Sequence, residues 1–233
     1  MAWNQERELS TKGIPEIGLC IPHTQDVNMY WVEKAFCPLR GQPLSWCNKT
    51  LFLSSGPPID VAREDLVDRA MDRGMDYIFF LDSDVVPRTP SDINMALYML
   101  WSLQTPVVSG LYRAKKKYGY YWACWMKVHK KGKGYQPLVD FTRNLFKADI
   151  AGLGCTLVHR EVFETMKKPW FKWDKAGSYS EDFFFFRKCK RYGYDLWIRG
   201  DVRFDHIGEF MISGDLEPKV ILATDYWKDE ENE

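Results

Sequence analysis

The chain has 233 residues, of which 45% are hydrophobic and 27% charged, a composition typical of a globular protein that buries a sizeable core. Lys+Arg and Asp+Glu both number 32, which gives no support for a general binder of nucleic acid or acidic polymers. No run approaches the ~18 apolar residues of a membrane span, and the first residues lack the apolar core of a signal peptide, so we expect a cytoplasmic protein without a transmembrane segment.

Short apolar segments and one clear helix make up the first part of the chain. Residues 17–21 and 51–55 are strand candidates, and "YIFFL" at 77–81 is a third. Between the last two, "IDVAREDLVDRAMD" has one apolar face, with Asp60 as its predicted cap and Gly74 as its stop. Strand, helix and strand in this order predict an α/β fold with a mostly parallel central sheet and helices on both faces.

The middle of the chain changes in character after a further helix and strand. The helix is predicted over residues 90–103, with Ser91 as its cap, and the strand over 106–112. Residues 114–135 then alternate aromatic with polar side chains between basic, glycine-containing turns, which predicts a hairpin-like insertion. A smaller mixed β region is therefore expected beside the main sheet.

The last predicted elements are strands on either side of one helix. Residues 146–166 read as a strand, a glycine bend, a second strand and a short helix. The helix that begins after Ser180 is basic in its last turns and closes at Gly193, and "LWIRGDVRFDHIG" supplies one or two more strands. Six scattered cysteines with no CxxC pair predict reduced thiols rather than disulfides or a zinc site.

Two aspartates follow the buried strand 77–81 with one serine between them. If the strand continues, alternation places Asp82 and Asp84 on one side and Ser83 on the other. Ligands of parallel sheets bind beyond the carboxyl ends of the strands, and paired carboxylates suit Mg²⁺ or Mn²⁺ holding a diphosphate. The alternative is a simple turn, because aspartate is common at strand ends. The buried strand and the preceding βα unit favour a functional site.

Other candidate residues each have a structural alternative. Glu181 and Asp182 suit a helix N-terminus without catalysis, although a carboxylate held there is also placed to stay ionised and act as a base. His206 is a possible metal ligand and Arg63 could face a nucleotide, but a lone histidine is more often structural and a lone arginine is more often solvated. Neither GxGxxG nor GxxxxGK[ST] is present, so a dinucleotide site or P-loop is excluded.

The chain resembles the GT-A glycosyltransferases, particularly the family 2-like branch and small archaeal, viral and phage members. The matching blocks are "IDVAREDLVDRAMDRGMDYIFFLDSDVVP", "VVSGLYR", "ADIAGLGCTLVHREVFE", "SEDFFFFRKCKRYGYDLWI" and "FDHIG", in the order of that family. The resemblance implies one GT-A domain over residues 1–233. Its nucleotide-binding half would span about 14–112, its acceptor-binding half about 113–210 and its C-terminal tail 211–233.

The resemblance also implies a role for each matching residue. Asp82-Ser83-Asp84 would be the DxD motif, and His206 would complete the metal site. Asp182 would be the base that deprotonates the acceptor, with Glu181 positioning it. Gly152 and Gly154 would let the backbone approach the donor sugar. The nucleotide pocket would be lined by Pro22, His23, Thr24 and Arg63.

The function implied is transfer of a sugar, with inversion, from a UDP- or GDP-sugar to a hydroxyl of a glycan, lipid or protein, assisted by Mn²⁺ or Mg²⁺. A homo-oligomer is possible, and no nucleic-acid partner is expected. The alternatives are a nucleotidyltransferase, a catalytically silent binding module of the same fold and, least favoured, a nucleic-acid binder. Residues 36–50 match no pattern, so the nucleotide base stays open. The run Trp170–Trp173 would either stack an acceptor sugar or pack a lid against the core.

Overall fold

A computed structural model describes residues 13–23, 26–41, 43–56, 58–114, 121–128, 134–141, 143–173 and 179–207. The predicted pocket residue Thr24 lies outside these ranges. The described residues form six α-helices: α1 (Met29–Trp31), α2 (Cys37–Gly41), α3 (Ile59–Asp72), α4 (Ile93–Trp101), α5 (Arg160–Thr165) and α6 (Glu181–Arg191). A π-helical segment (Val32–Phe36) joins α1 to α2.

Two sheets form the centre of the described structure. The main sheet contains β1 (Glu16–His23), β2 (Asn48–Ser55), β3 (Tyr77–Leu81), β4 (Val85–Thr89), β5 (Val107–Tyr112), β8 (Leu145–Ala148), β10 (Cys155–His159) and β11 (Leu196–His206). Its order is β2-β1-β3-β10-β5-β11-β4, with β8 paired to β11. The smaller sheet has the order β7-β6-β9, from β6 (Trp122–Lys127), β7 (Tyr135–Leu138) and β9 (Ile150–Ala151).

The α/β class is confirmed, but the prediction of a mostly parallel sheet is wrong. Three strand pairings in the main sheet are parallel: β1 with β2, β1 with β3, and β5 with β11. The other four are antiparallel: β10 with β3, β10 with β5, β11 with β4, and β11 with β8. The prediction failed because an apolar run shows only that a strand is buried on both faces. A central antiparallel strand such as β10 has the same pattern as a parallel strand.

Helices pack on both faces of the main sheet, as predicted. Residues of β3 alternate between two cores: Ile78 and Phe80 pack with α3, α5 and α6, whereas Tyr77, Phe79 and Leu81 pack with α1, α2 and α4. All five side chains are buried. Strand β3 therefore contributes side chains to the cores on both faces of the sheet.

The helix boundaries differ slightly from the sequence prediction. Helix α3 begins after Pro58 rather than at Asp60, and Gly74 ends it with a φ of +77°. Asp92, not Ser91, caps α4 by accepting hydrogen bonds from the amides of Asn94 and Met95. Ser180 occupies the N-cap position of α6 but makes no side-chain cap bond. The hydrophobic periodicity locates a helix, but it does not show which of several neighbouring polar residues caps it.

Residues 115–120 and 129–133 of the predicted hairpin-like insertion lie outside the described residues, but β6 and β7 on either side of the second gap form the expected antiparallel pair. The aromatic run that follows α5 mostly joins the core: Trp170 and Phe171 are 6% and 2% exposed, and Phe171 stacks on Phe185 with ring centroids 5.0 Å apart. The interpretation as core packing is correct for these two residues. Trp173 is 48% exposed.

All six cysteines are free, as predicted, and only Cys37 is exposed. Burial raises the pKa of Cys47 to about 11 and that of Cys124 to about 12, so neither thiol is poised as a thiolate. Among the described residues, no helix is both long enough and apolar enough to cross a membrane.

Candidate functional site

The ends of five strands meet at one edge of the main sheet. The parallel strands β1, β2 and β3 all end there. Because β10 is antiparallel to β3, with Cys155 opposite Leu81, the turn that precedes β10 lies at the same edge. Strands β5 and β11 also end there, at Tyr112 and His206. This topology brings together residues that are far apart in the sequence.

Asp82, Ser83 and Asp84 form a tight turn at this edge rather than a continuation of the strand. Strand β3 ends at Leu81, and the amide of Val85 donates a hydrogen bond of 3.1 Å to the carbonyl of Asp82. The amide of Asp82 donates to the carbonyl of Gly154 at 3.1 Å. Strand alternation therefore does not set the directions of the two carboxylates, and each makes a different contact.

Asp84 lies next to His206; together with Asp82 these are the three residues that the resemblance assigns to the metal. Asp84 Oδ2 is 3.3 Å from His206 Nε2, although the residues are 122 positions apart. The carbonyl of Arg113 lies 2.9 Å from His206 Nδ1, and a carbonyl can only accept, so Nδ1 carries the proton. In the neutral ring the lone pair of Nε2 then points at a carboxylate oxygen. The lone pair and the carboxylate oxygen repel each other, and a cation or a second proton between Nε2 and Asp84 Oδ2 removes this repulsion.

The Asp84–His206 pair fits a divalent cation in its donor chemistry and in its surroundings. A ligating histidine usually donates its other ring N–H to a carbonyl, as His206 does to Arg113. The Asp84 side chain is 39% exposed, so part of it is in contact with solvent. No group of three or more His, Cys, Asp or Glu side chains in the described part of the chain could hold a metal ion. Two protein donors suit Mg²⁺ or Mn²⁺ only if phosphate and water supply the others.

Whereas Asp84 contacts His206, Asp82 is bound by Arg63 of α3. Arg63 Nη2 donates to Asp82 Oδ1 at 2.9 Å, and Nε donates to Glu181 Oε1 at 3.3 Å. The Arg63 side chain is 2% exposed and its guanidinium lies 5.5 Å from the centre of the Phe80 ring. Arg63 is therefore neither a solvated residue nor one that faces an open nucleotide pocket. It links the end of β3 to the beginning of α6.

Asp182 lies at the first turn of α6, beside this ion-pair network. Burial raises its pKa well above the ordinary value of 3.8, and Glu181 and Asp82 raise it further, while Arg63 acts in the opposite direction. The helix N-terminus was expected to favour the ionised form, but desolvation and the neighbouring carboxylates outweigh it. Asp182 Oδ1, Glu181 Oε2 and Arg63 Nη1 are buried without hydrogen-bond partners. Two carboxyl oxygens and one guanidinium nitrogen between α3 and α6 therefore make no hydrogen bond.

Gly152 and Gly154 are required by a residue that the sequence analysis did not select, Tyr112. A Cβ on Gly152 would lie 2.0 Å from the Tyr112 hydroxyl, and one on Gly154 would lie 2.8 Å from Asp82 Oδ2. The amide of Gly154 donates to that hydroxyl at 3.3 Å. Tyr112 and Asp82 occupy the space that a Cβ would take at these two glycines, and the expectation that the glycines let the backbone approach a donor sugar stays a prediction. Tyr112 also meets the His206 ring edge-on at 5.1 Å.

The remaining predicted pocket residues lie at the same edge. Pro22 and His23 are the last two residues of β1, paired with Ser54 and Ser55 of β2, and Ser83 is half-buried in the turn. The sequence signal for Tyr112 was its position at the end of "VVSGLY", a buried strand that ends at the same edge as β3. That signal could be used only once β5 was known to run in the same direction as β3, because this places Tyr112 near Asp82.

No protein-family model matches this sequence, and no curated protein is similar enough to match it. The fold is similar to that of A197 from STIV. With that crystal structure the TM-score is 0.56 and the sequence identity 21%, over 83% of this chain and 86% of the other. At this identity the likeness shows the fold alone.

Replacing Gly152 by alanine is expected to lower the free energy of unfolding by about 1–3 kcal/mol, because the new Cβ would collide with the Tyr112 hydroxyl. Chemical denaturation measures the change, and Gly152→Ala combined with Tyr112→Ala should lose less than the sum of the two single changes. Gly41→Ala is the matched control, since nothing lies within 4 Å of its added Cβ. Equal effects of Gly152→Ala and Gly41→Ala would contradict this account.

Proposed function

We propose that the protein is a metal-dependent glycosyltransferase of the GT-A fold that moves a sugar, with inversion, from a nucleoside-diphosphate sugar to an acceptor hydroxyl. One observation carries the proposal. Asp84 with His206, and Asp82 with Arg63 and Glu181, meet at one edge of the sheet although they come from separate segments of the sequence. The mixed α/β architecture, with the parallel unit β2-β1-β3 leading to the DSD turn, supports the same interpretation.

Asp84 and His206 would hold Mn²⁺ or Mg²⁺, which supplies charge neutralisation for the departing diphosphate. The Arg113 carbonyl orients the imidazole so that Nε2 presents its lone pair toward Asp84. Arg63 holds Asp82 on the other side of the turn, so Asp82 is a positioning residue for the DSD turn. The Asp84 side chain is 39% exposed and that of Asp82 24%, so Asp84 would be the carboxylate of the turn nearer to a UDP- or GDP-sugar.

Asp182 would act as the general base. The acceptor oxygen forms a bond to the anomeric carbon, the bond from that carbon to the diphosphate oxygen breaks, and the acceptor proton passes to the Asp182 carboxylate. The nucleoside diphosphate leaves with the electron pair. The Asp182 residue is partly buried, and its buried Oδ1 makes no hydrogen bond, so the carboxyl group is not committed to a donor through that oxygen. Glu181, fixed by Arg63, holds the first turn of α6 in place.

The test of this proposal is nucleotide binding that depends on the metal. We expect UDP or GDP with Mn²⁺ to raise the melting temperature by roughly 5–10 °C at about 100-fold excess over Kd, whereas uridine or guanosine with Mn²⁺ should have little effect. Asp84→Asn and His206→Gln should each remove the shift. His159→Gln is the matched control, since His159 lies opposite Tyr77 at the other end of β3. A shift that survives in both Asp84→Asn and His206→Gln would overturn the metal assignment.

A further inference from the structure

The proposed metal ligands Asp84 and His206 come from two separate elements that meet at the edge of the sheet. Asp84 belongs to the turn of residues 82–84, which we call the DSD turn, and His206 is the last residue of β11. The amide of Ile207 donates a hydrogen bond of 2.7 Å to the carbonyl of Asp84. This bond joins the two backbones, but it does not set the directions of the two ligand side chains.

Tyr112, the last residue of β5, connects the same two elements through its side chain. Its hydroxyl accepts a hydrogen bond of 3.3 Å from the amide of Gly154, and the carbonyl of Gly154 accepts one of 3.1 Å from the amide of Asp82. The Tyr112 ring meets the His206 ring edge-on, with centroids 5.1 Å apart and planes at 82°. Contacts therefore run from the DSD turn through Gly154 and Tyr112 to the imidazole.

The residue after Tyr112 holds the same imidazole by a different atom. The carbonyl of Arg113 lies 2.9 Å from His206 Nδ1 and accepts its proton. Arg113 is 2% exposed, and its guanidinium lies 4.0 Å from the centre of the Trp122 ring, so this residue is itself held in place. The end of β5 therefore sets the tautomer of His206 and, through the edge-on ring contact, the plane of its imidazole.

The Tyr112 hydroxyl is enclosed by the glycine turn that precedes β10. Tyr112 is 6% exposed, and a Cβ on Gly152 would lie 2.0 Å from its hydroxyl oxygen. Burial raises the pKa of Tyr112 well above the ordinary value of 10, and the charges of Asp82 and Asp182 raise it further, so the hydroxyl stays neutral. A neutral and enclosed phenol of this kind acts on neighbouring protein groups rather than on a substrate.

We propose that Tyr112 is a positioning residue of the metal site: its hydroxyl fixes the DSD turn through Gly154, and its ring fixes the imidazole of His206. Together these contacts keep Asp84 Oδ2 and His206 Nε2 at their separation of 3.3 Å. This inference rests on the proposed function, since it is the cation that requires both ligands to be held in place before it binds. Without the hydroxyl the buried amide of Gly154 loses its acceptor, so the turn and the imidazole lose their common support.

Two variants disturb this arrangement in different ways. Tyr112→Phe keeps the ring but removes the hydroxyl, whereas Gly152→Ala keeps the hydroxyl but occupies its place. Mn²⁺ is titrated into each chain in the presence of UDP or GDP, and the electron paramagnetic resonance signal of free Mn²⁺ gives its Kd. We expect the Kd to rise roughly tenfold to 100-fold in both variants, the range for losing a group that orients a metal ligand.

Tyr77→Phe is the matched control for both variants. Tyr77 is 1% exposed and meets His159 edge-on at 4.9 Å, so it repeats the geometry of Tyr112 and His206 at the other end of β3. Its hydroxyl is buried without a hydrogen-bond partner. Removing this hydroxyl should leave the Kd of Mn²⁺ unchanged. Melting curves show that each variant is folded.

Hydrogen exchange of the Asp82 amide tests the same coupling without metal. In Tyr112→Phe this amide keeps its own acceptor, the carbonyl of Gly154, so a loss confined to the Gly154 amide would leave its exchange rate unchanged. If Tyr112 positions the DSD turn, NMR should show exchange at Asp82 roughly fivefold to tenfold faster in Tyr112→Phe than in Tyr77→Phe.

The outcomes separate this inference from the proposed function. Wild-type binding of Mn²⁺ with the nucleotide, together with an unchanged Kd in both Tyr112→Phe and Gly152→Ala, overturns the role of Tyr112 alone. An equal loss of affinity in Tyr77→Phe also overturns it, because the effect would then follow from general destabilisation. If the wild-type chain binds no Mn²⁺ with either nucleotide, the proposed function fails. The exchange of Asp82 then still decides whether Tyr112 holds the DSD turn, since equal rates in the two phenylalanine variants would reject it.

Discussion

Replacing Arg63 by methionine is expected to lower the free energy of unfolding by about 3–5 kcal/mol, the range for removing one partner of a buried ion pair. The guanidinium is 2% exposed and binds Asp82 at 2.9 Å and Glu181 at 3.3 Å. Methionine fills a similar volume but donates no hydrogen bond. Both carboxylates would then be left without the charge that offsets their loss of water. Denaturant unfolding measures the change.

The control for this prediction is Arg69, on the same helix. Arg69 pairs with Asp65 at 3.0 Å, but the two side chains are 43% and 48% exposed, so Arg69→Met should cost less than about 1 kcal/mol. Arg63→Lys keeps the charge but offers no planar fork to bridge two carboxylates, and we expect an intermediate loss. Equal effects of the two methionine variants would show that the buried network does not stabilise the fold.

A double variant separates the two explanations for the loss. If the orphaned carboxylates are responsible, Arg63→Met combined with Glu181→Gln should be more stable than Arg63→Met alone, because one unpaired buried charge is gone. If the loss reflects only the packing of the guanidinium on Phe80, the second change should add its own cost. Arg63 of α3 binds Glu181 of α6, 118 positions away, and Asp82 directly after β3, so loss of the network would also loosen the turn that carries Asp82 and Asp84.

Much of this arrangement could be predicted from local sequence, and the rest required the tertiary structure. The strand before Asp82, the helix that ends at Gly74 and the hairpin of β6 and β7 each have a local pattern that identifies them. The direction of β10 does not, because a strand buried on both faces is apolar whether its neighbours are parallel or antiparallel.

The roles of Arg63 and Tyr112 were beyond local sequence reasoning for a related reason. An arginine in the second turn of an amphipathic helix is usually solvated, and its burial depends on two carboxylates that are 19 and 118 positions away. Tyr112 ends an apolar strand like many other tyrosines. Its importance follows from two glycines that reach it only because β5 and β10 pair. Residues chosen by motif lie in the site, but the contacts that position them depend on burial and strand pairing, which the motifs do not specify.

Replacing Asp182 by asparagine is expected to reduce transfer by about 10²–10⁴-fold while donor binding stays intact, since positioned general bases contribute on that scale. Metal-dependent binding of UDP or GDP should be unchanged, because Asp84 and His206 are untouched. Transfer is measured by release of the nucleoside diphosphate in the presence of an acceptor. Glu64→Gln is a control at another partly buried carboxylate, one that accepts from the amide of Phe171 rather than belonging to the site. Asp182→Asn with full transfer would remove Asp182 from the role of base.

The same substitution should make the protein more stable at neutral pH, and the sign follows from the raised pKa of Asp182. Above the ordinary value of 3.8 the unfolded chain releases this proton while the folded chain still holds it, so the contribution of Asp182 to stability falls as pH rises. Asparagine does not ionise. The melting temperature of Asp182→Asn should therefore exceed that of the wild-type chain at pH 7, and the difference should shrink as the pH falls toward 4.

Because a base must be ionised to accept a proton, wild-type transfer should rise over the pH range in which Asp182 loses its proton. In the pH range in which Asp182 is ionised, we thus expect it to lower the stability of the fold and to be needed for transfer. Both effects together are expected of a catalytic group rather than of a helix cap.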